Sequence, residues 1–286
     1  LKQKLGVNDF WFIARRKEKM ESLRKGLSVN AKIISADLTK KEGIEAVRAA
    51  LEEEKPSVKY LINAAGFGKF GALDVEEDWA CEARRYYIGI VGKYGAQVQA
   101  VLQKDATLDI RTICPLHGPV LSGDLTPYLS LYDTWSRYEP ESEGVLVASA
   151  SIHGGTAAAA REFAEMLRAR GAEKVVLSDL SRSDMAEVIE DAFRYPRLVL
   201  AASSYDAGVF PVMHDFLCHL QIKNYQKRRI GLIENGSWAP CAARAMRTLI
   251  EPMKEITLVE PTVTIRSRMK QTDIPAMEAL ADAILS

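Results

Sequence analysis

A predicted strand, a turn and the start of a predicted helix follow one another at residues 144–156, which read GVLVASASIHGGT. The apolar run predicts a buried strand, and the alanine-rich stretch after Thr156 predicts a helix. In this order the elements direct free backbone N–H groups and the positive end of a helix dipole at one point. An anion such as a phosphate can therefore bind there without a lysine, and the hydroxyls of Ser149, Ser151 and Thr156 can add donors.

Two further loops carry small residues and large aromatic residues after predicted strands. Residues 203–211 read SSYDAGVFP, and residues 234–241 read ENGSWAPC. The small residues, a glycine among them, allow the chain to turn and leave room for a ring, and the aromatic side chains can stack on it. A phosphate turn together with two aromatic loops suits a planar, phosphorylated cofactor with three fused rings.

The carboxy-terminal half alternates between short apolar runs and longer amphipathic stretches. Strands are predicted at 144–149, 174–178, 198–203, 229–234 and 255–259, and helices at 156–170, 183–193, 212–223, after Pro240 and from about 273 to the end. This alternation predicts an α/β fold with a doubly wound, parallel, five-stranded sheet. Ligands bind such sheets beyond the carboxyl ends of the strands, where the winding reverses, so the three loops are expected to meet there.

Residues 138–286 resemble the flavodoxin-type domain of the flavodiiron proteins, also called A-type flavoproteins. The matching stretches are 151–156, 205–211 and 234–240. The resemblance implies a flavodoxin-like fold at 139–286 and an electron-transfer function with FMN bound by these loops. The implied FMN contacts are Ser149, Ser151, Ile152, His153, Gly154, Gly155, Thr156, Ser203, Ser204, Tyr205, Asp206, Gly208, Asn235, Gly236, Ser237 and Trp238.

Residues 74–138 resemble the end of the metallo-β-lactamase-like domain that precedes the flavodoxin-type domain in that family. Residues 113–118, ICPLHG, resemble the motif whose histidine binds iron, which makes His117 a candidate metal ligand. The family's H-x-E-x-D-H cluster is absent from the sequence, and Ala65 stands where its bridging aspartate would fall. We therefore predict an incomplete di-iron ligand set, without terminal reduction of oxygen or nitric oxide.

Residues 1–73 show a different alternating pattern, with strands predicted at 10–14, 31–35 and 59–63. The stretches FIARR, ADLT and NAAG resemble strand ends of short-chain dehydrogenases/reductases. That resemblance implies NADP contacts at Arg15 or Arg16, at Asp37 and at 63–66. No glycine-rich turn precedes Phe10 in this sequence, and no tyrosine is followed by a lysine four residues later. A reductase of this type needs that pair for proton transfer, so the motifs for an NADP-dependent reductase are incomplete.

The two resemblances meet at residues 66–71, which read GFGKFG. We interpret the chain as a fusion of a short-chain-dehydrogenase-like fragment (1–73), a lactamase-like remnant and linker (74–138) and an FMN domain (139–286). The alternatives to a flavoprotein are the NADP-dependent reductase and an α/β module that binds a partner without catalysis.

Composition restricts the classes of partner. Thirty-eight lysines and arginines balance 38 aspartates and glutamates, which argues against nucleic acid or an anionic membrane as a partner. The four cysteines are scattered without a C-x-x-C pair, which favours a reducing, cytoplasmic compartment. The flavodiiron resemblance implies a redox donor such as rubredoxin or an NAD(P)H-dependent reductase, and it implies a homodimer.

Overall fold

The computed structural model describes residues 9–27, 30–38, 40–56, 79–115 and 117–286. The chain divides into two compact units, residues 1–66 and residues 67–286. Each unit is described by itself below.

The amino-terminal unit contains strands β1 (Asp9–Ala14) and β2 (Asn30–Ser35), each followed by a helix, α1 (Lys17–Leu27) and α2 (Lys41–Glu54). The two strands pair in parallel. These elements agree with the alternation predicted for residues 10–53. The predicted strand 59–63, the 63–66 stretch and the fusion seam at 66–71 lie outside the described residues.

The second unit begins with a helical segment that we term the middle segment, residues 79–138. Its elements are α3 (Trp79–Tyr86), a π-helical turn (Tyr87–Val91), a 3-10 turn (Gly92–Tyr94), α4 (Gly95–Asp105), β3 (Thr112–Ile113), β4 (Leu121–Ser122) and α5 (Thr126–Ser136). The sequence of residues 79–102 predicts a helical stretch, and the structure is helical there, with π and 3-10 turns between its two α-helices. Directly after these turns α4 packs closely against α5, because a Cβ on Gly95 would lie 2.4 Å from the carbonyl oxygen of Ser136.

The rest of the unit is a parallel α/β sheet. Its elements are β5 (Val145–Ala150), α6 (Gly155–Ala169), β6 (Val175–Asp179), α7 (Met185–Arg194), β7 (Arg197–Tyr205), β8 (Gly208–Val209), α8 (Pro211–Ile222), β9 (Arg228–Asn235), α9 (Ala242–Ile250), β10 (Ile256–Leu258), β11 (Val263–Ile265) and α10 (Ile274–Leu285). Across the described residues the strand order is β6-β5-β7-β9-β10. This is the flavodoxin-like doubly wound order, and the predicted fold class is confirmed.

The edge strand of this sheet is interrupted. β10 pairs with Arg228–Ile230 at the start of β9, and β11 pairs with Ile233–Asn235 at its end. Both lie on the side of β9 away from β7. The prediction of one strand at 255–259 thus found β10 and missed β11, which brings the chain back to the carboxyl end of the sheet.

Alternate residues of the central strands face two separate cores. On β5, Leu146 belongs to one cluster and Val147 to the other. The Val147 cluster packs against α6 and α10, and the Leu146 cluster packs against α7, α8 and α9. Tyr87, Ile88 and Trp135 of the middle segment join the Leu146 cluster. The middle segment is therefore packed onto the sheet domain.

A buried ion network reinforces this packing. The guanidinium of Arg84, which is 2% exposed, makes two hydrogen bonds to Glu141, with distances of 2.6 Å and 2.5 Å. It also donates to Glu190, and the indole N–H of Trp135 donates to Glu141 at 2.8 Å. One arginine on α3 thus pairs with a carboxylate just before β5 and with another on α7, and Arg85 also contacts the second carboxylate at 3.4 Å.

We expect stability to fall below pH 4 partly through Glu141. Burial acts to raise its pKa, but the hydrogen bonds from Arg84 and Trp135 and the charge of Arg84 outweigh burial, and the net pKa is lowered. A lowered carboxyl pKa contributes stability above the unfolded pKa of about 4.3, and this contribution is lost as the pH falls through the folded value. Urea unfolding between neutral pH and pH 3 measures the effect. The pH slope should shrink in the Glu141→Gln variant, and an unchanged slope would contradict this assignment.

Candidate functional site

The winding of the sheet reverses between β5 and β7, so the chain leaves these neighbouring strands in opposite directions. The Thr156 hydroxyl, in the first turn of α6, lies 2.8 Å from the Ser203 hydroxyl near the end of β7. This hydrogen bond joins the predicted phosphate turn to the predicted middle loop. The crevice that such a reversal creates is the usual ligand position in open α/β sheets.

The turn between β5 and α6 presents backbone N–H groups to this crevice. Gly154 has φ +87°, a left-handed conformation that favours glycine, and its N–H donates to the Ser151 hydroxyl at 3.0 Å. In the described part of the chain, no acceptor faces the N–H groups of Gly155, Thr156 and Ala157. The α6 helix has 15 residues, and free amides at the start of such a helix are groups with which proteins commonly bind anions.

Gly155 allows the turn to pack closely against a neighbouring loop. A Cβ on this residue would lie 2.5 Å from the backbone carbonyl oxygen of Ser267. That distance is too short for any real contact, so the backbone would have to move.

We expect Gly155→Ala to lower stability by about 1–3 kcal/mol, because overpacking against backbone cannot be relieved by a side-chain rotation. Thermal or urea unfolding measures the change. Gly89→Ala is the matched control, since nothing lies within 4 Å of its added methyl group. Equal midpoints for the two variants would show that the Gly155 contact is not tight.

The middle loop is a two-residue hairpin between β7 and β8. Asp206 and Ala207 both have positive φ, 45° and 57°, as the favoured hairpin turns require. The expectation that Gly208 makes the turn is wrong, because Gly208 pairs with Tyr205 in the hairpin. Sequence reasoning chose the glycine because alanine rarely adopts a left-handed conformation.

Aromatic side chains lie on the second and third loops. Tyr205 is 45% exposed and packs edge-on against Phe210, with ring centroids 5.9 Å apart. Trp238 is 86% exposed. Exposed aromatic rings beside an anion site are available to stack on a planar ligand.

Several predicted contact residues use their side chains to build the rim. The Ser204 hydroxyl accepts from the N–H groups of Cys241 and Ala242, at 2.8 Å and 3.2 Å, and so caps α9. The Ser149 hydroxyl donates to the Ser178 carbonyl at 3.3 Å. The hydroxyls of Ser149 and Ser204 therefore hold the loops in place, and these residues can contact a ligand only through their backbone groups.

A fourth loop, 266–270, was missed by the sequence reasoning. Ser267 has φ +64°, and its backbone N–H and carbonyl both bond to the Asn235 amide at 2.9 Å. Its hydroxyl lies 2.9 Å from that of Ser237. Ser267 thus links the third loop to Gly155 of the phosphate turn. This stretch contains no proline or glycine, the residues that usually mark a loop in a sequence, so no loop was predicted there.

The predicted residues after β5, β7 and β9 therefore meet at one rim. Gly236 brings the third loop close to the second, since a Cβ on Gly236 would lie 3.0 Å from the Ser204 hydroxyl. His153 is exposed at the phosphate turn, beside Ile152. The structure brings together all three predicted loops and adds the fourth.

The remaining histidines lie elsewhere. His117 is exposed, with its ring 5.2 Å from that of Tyr86. His214 contacts Cys218 at 3.6 Å, and His219 faces Asp215 at 3.7 Å. Among the described residues, no group of three or more histidines, cysteines or carboxylates could hold a metal ion. Ala65, where the family's bridging aspartate would fall, is outside those residues.

Several similar solved structures are flavodiiron proteins. Rubredoxin oxygen:oxidoreductase of Desulfovibrio gigas, 18% identical, matches with a TM-score of 0.64 over 70% of this chain and 50% of that chain. A Thermotoga maritima flavoprotein, 16% identical, matches with a TM-score of 0.64 over 96% of this chain and 78% of that one. These likenesses establish the fold.

Curated sequence relatives agree. Diflavin flavoprotein A 1 of Nostoc is 26% identical over 205 residues, which are 69% of this chain and 33% of that protein. A nitric oxide reductase of Moorella thermoacetica is 24% identical over 188 residues, 65% of this chain and 46% of that protein. This chain is a relative of the flavodiiron proteins. It spans less than half the length of these two flavodiiron-type relatives.

No family model matches the sequence. The resemblance of residues 1–73 to short-chain dehydrogenases stays a prediction. In the parts of the chain that the structure describes, no helix is long and apolar enough to cross a membrane.

Proposed function

We propose that this chain is an FMN-binding electron-transfer flavoprotein of flavodiiron type. The observation that carries the proposal is the meeting of the three predicted loops at the switch point, where α6 offers free backbone amides and two aromatic rings are exposed. The flavodiiron relatives support a flavin electron-transfer or oxidoreductase role. The residues present fit FMN, since an anion site and exposed aromatic surfaces share one rim.

Each loop has a distinct role in this proposal. The free amides of Gly155, Thr156 and Ala157 would hold the phosphate, aided by the positive end of the α6 dipole. Tyr205 and Trp238 would hold the ring system by stacking, and the backbone of 206–208 and 235–237 would offer it hydrogen bonds. Ser204 and Ser267 hold the loops in place through the hydrogen bonds described above. FMN, when bound, supplies the reversible uptake of electrons, while the protein sets its position and surroundings.

We expect the protein to bind FMN more tightly than riboflavin. The two ligands share the ring system and differ in the phosphate, which alone can accept from the α6 amides. Hydrogen bonds to a charged group are worth about 1.5–3 kcal/mol each, so at least a tenfold preference for FMN is expected.

Titration followed by quenching of flavin fluorescence measures both affinities. Equal affinity for FMN and riboflavin would place the ligand away from the phosphate turn. Binding of neither would contradict the proposed function itself.

We further propose that the chain lacks the terminal reduction of oxygen or nitric oxide. The absence of the family's H-x-E-x-D-H cluster and of the bridging aspartate from the sequence supports this. Metal analysis of the purified protein tests it, together with oxygen consumption under a supply of electrons. Two iron atoms per chain with steady oxygen uptake would overturn it.

The electron donor in this proposal is a redox protein such as rubredoxin or an NAD(P)H-dependent reductase. The Desulfovibrio relative carries rubredoxin in its name. A homodimer is proposed from the flavodiiron resemblance, and analytical ultracentrifugation tests it directly.

A further inference from the structure

The fourth rim loop, residues 266–270, is strongly basic. It reads RSRMK, and Arg266, Arg268 and Lys270 are all exposed. Within the described residues, no carboxylate forms an ion pair with any of these three side chains. Asp273 contacts the backbone of Lys270, accepting its N–H at 2.8 Å and donating to its carbonyl at 3.0 Å.

This concentration of charge is local. The chain as a whole has a formal net charge of zero, and ten other arginines in the described residues form ion pairs, as Arg247 does with Glu260. Three unpaired cations within five residues create a positive potential that extends about 10 Å at moderate salt.

The basic loop lies directly beside the proposed FMN site. Arg266 donates to the Trp238 carbonyl at 3.3 Å, and the Ser267 carbonyl packs against Gly155 of the phosphate turn. Trp238 is 86% exposed. An exposed tryptophan with neighbouring arginines has the composition of a protein-binding hot spot.

We propose that residues 266–270 and Trp238 form the docking surface for an acidic electron-carrier protein. This inference rests on the proposed function, since it supplies the surface through which the flavin site meets its redox partner. Carboxylates on the carrier complement Arg266, Arg268 and Lys270, and an apolar contact covers Trp238. Complementary charge speeds encounter and orients the carrier over the rim.

The test uses the FMN-treated full chain and, as the probe, a rubredoxin chosen for its net negative charge. Calorimetry measures its binding at about 20 mM and at about 300 mM salt, since screening weakens pairing between exposed charges. We expect binding at low salt that weakens at least tenfold at high salt. The double variant Arg266→Glu and Arg268→Glu should weaken low-salt binding by at least tenfold.

The matched control is Lys174→Glu with Lys254→Glu. It carries the same charge change at exposed positions before β6 and β10, at the opposite edge of the sheet. The control should bind the rubredoxin like the original chain. Equal loss in both double variants, or no rubredoxin binding to the original chain, would overturn the docking surface.

Two further readouts keep the result interpretable. FMN content is measured on every sample. A chain that binds rubredoxin through this loop without containing FMN would contradict the proposed function and support the docking surface. If the double reversal does not fold, Arg268→Gln removes one charge, and it should lower low-salt affinity in the same direction. Unchanged affinity in a folded Arg268→Gln would count against the proposal.

Discussion

Replacing Arg84 with methionine should lower the free energy of unfolding by about 3–5 kcal/mol, because it removes the nearest counterion of two buried carboxylates and leaves only the longer contacts to Arg85 and Arg194. Glu190 is 4% exposed and Glu141 is 14% exposed, and Arg84 hydrogen-bonds to both. Methionine fills a similar volume and supplies no donor. Both carboxylates then lose hydrogen bonds in surroundings where water cannot replace them.

Urea unfolding followed by tryptophan fluorescence measures this loss, and Arg111→Met is the control. Arg111 also pairs with a carboxylate, Asp109, but both side chains are exposed. Exposed pairs contribute little, so the control should unfold at the original midpoint. A folded Arg84→Met protein with the midpoint of the control would refute the claim that this network anchors the middle segment. Arg84→Lys, which keeps the charge, should recover part of the loss.

Replacing Arg228 with methionine should cost at least about 3 kcal/mol, since buried acceptors left without donors cost about 1–3 kcal/mol each. Arg228 is 3% exposed and donates to five backbone carbonyls, those of Phe193, Tyr195, Tyr138, Gln226 and Lys227. Burial lowers the pKa of its guanidinium. Within the described residues, no carboxylate forms an ion pair with it.

The carbonyls held by Arg228 explain why this charge is tolerated inside the protein. Phe193 and Tyr195 lie at the end of α7, where the helix dipole is negative. Lys254→Met, at an exposed position on the same edge of the sheet, is the control for loss of one positive charge. Calorimetric unfolding should separate the two variants by several degrees in Tm. Coincident transitions would contradict the role given to Arg228.

The sheet domain could be predicted from the sequence because its signals are local. Each buried strand, such as Val145–Ala150, is a continuous apolar run, and each helix begins near a glycine, a proline or a capping aspartate. The three loops followed directly, because parallel strands place their carboxyl ends at one edge.

The remaining features depend on contacts between distant residues, and sequence patterns do not record them. The close approach of Gly95 to the backbone of Ser136 joins positions that are 41 residues apart. The role of Ser267 follows from its hydrogen bonds to Asn235, a residue 32 positions earlier in the chain. From the sequence alone, Arg84 looks like a surface charge on an amphipathic helix. Its burial follows from its contacts with Glu141 and Glu190, which only the structure shows.

The central claim is that the loops after β5, β7 and β9 together bind FMN. The most direct measurement is equilibrium dialysis of the purified chain against FMN, with the visible spectrum of the bound fraction recorded. The account predicts one FMN per chain and a yellow protein whose flavin fluorescence is quenched. A protein that stays colourless after dialysis against excess FMN, while unfolding cooperatively, would contradict it.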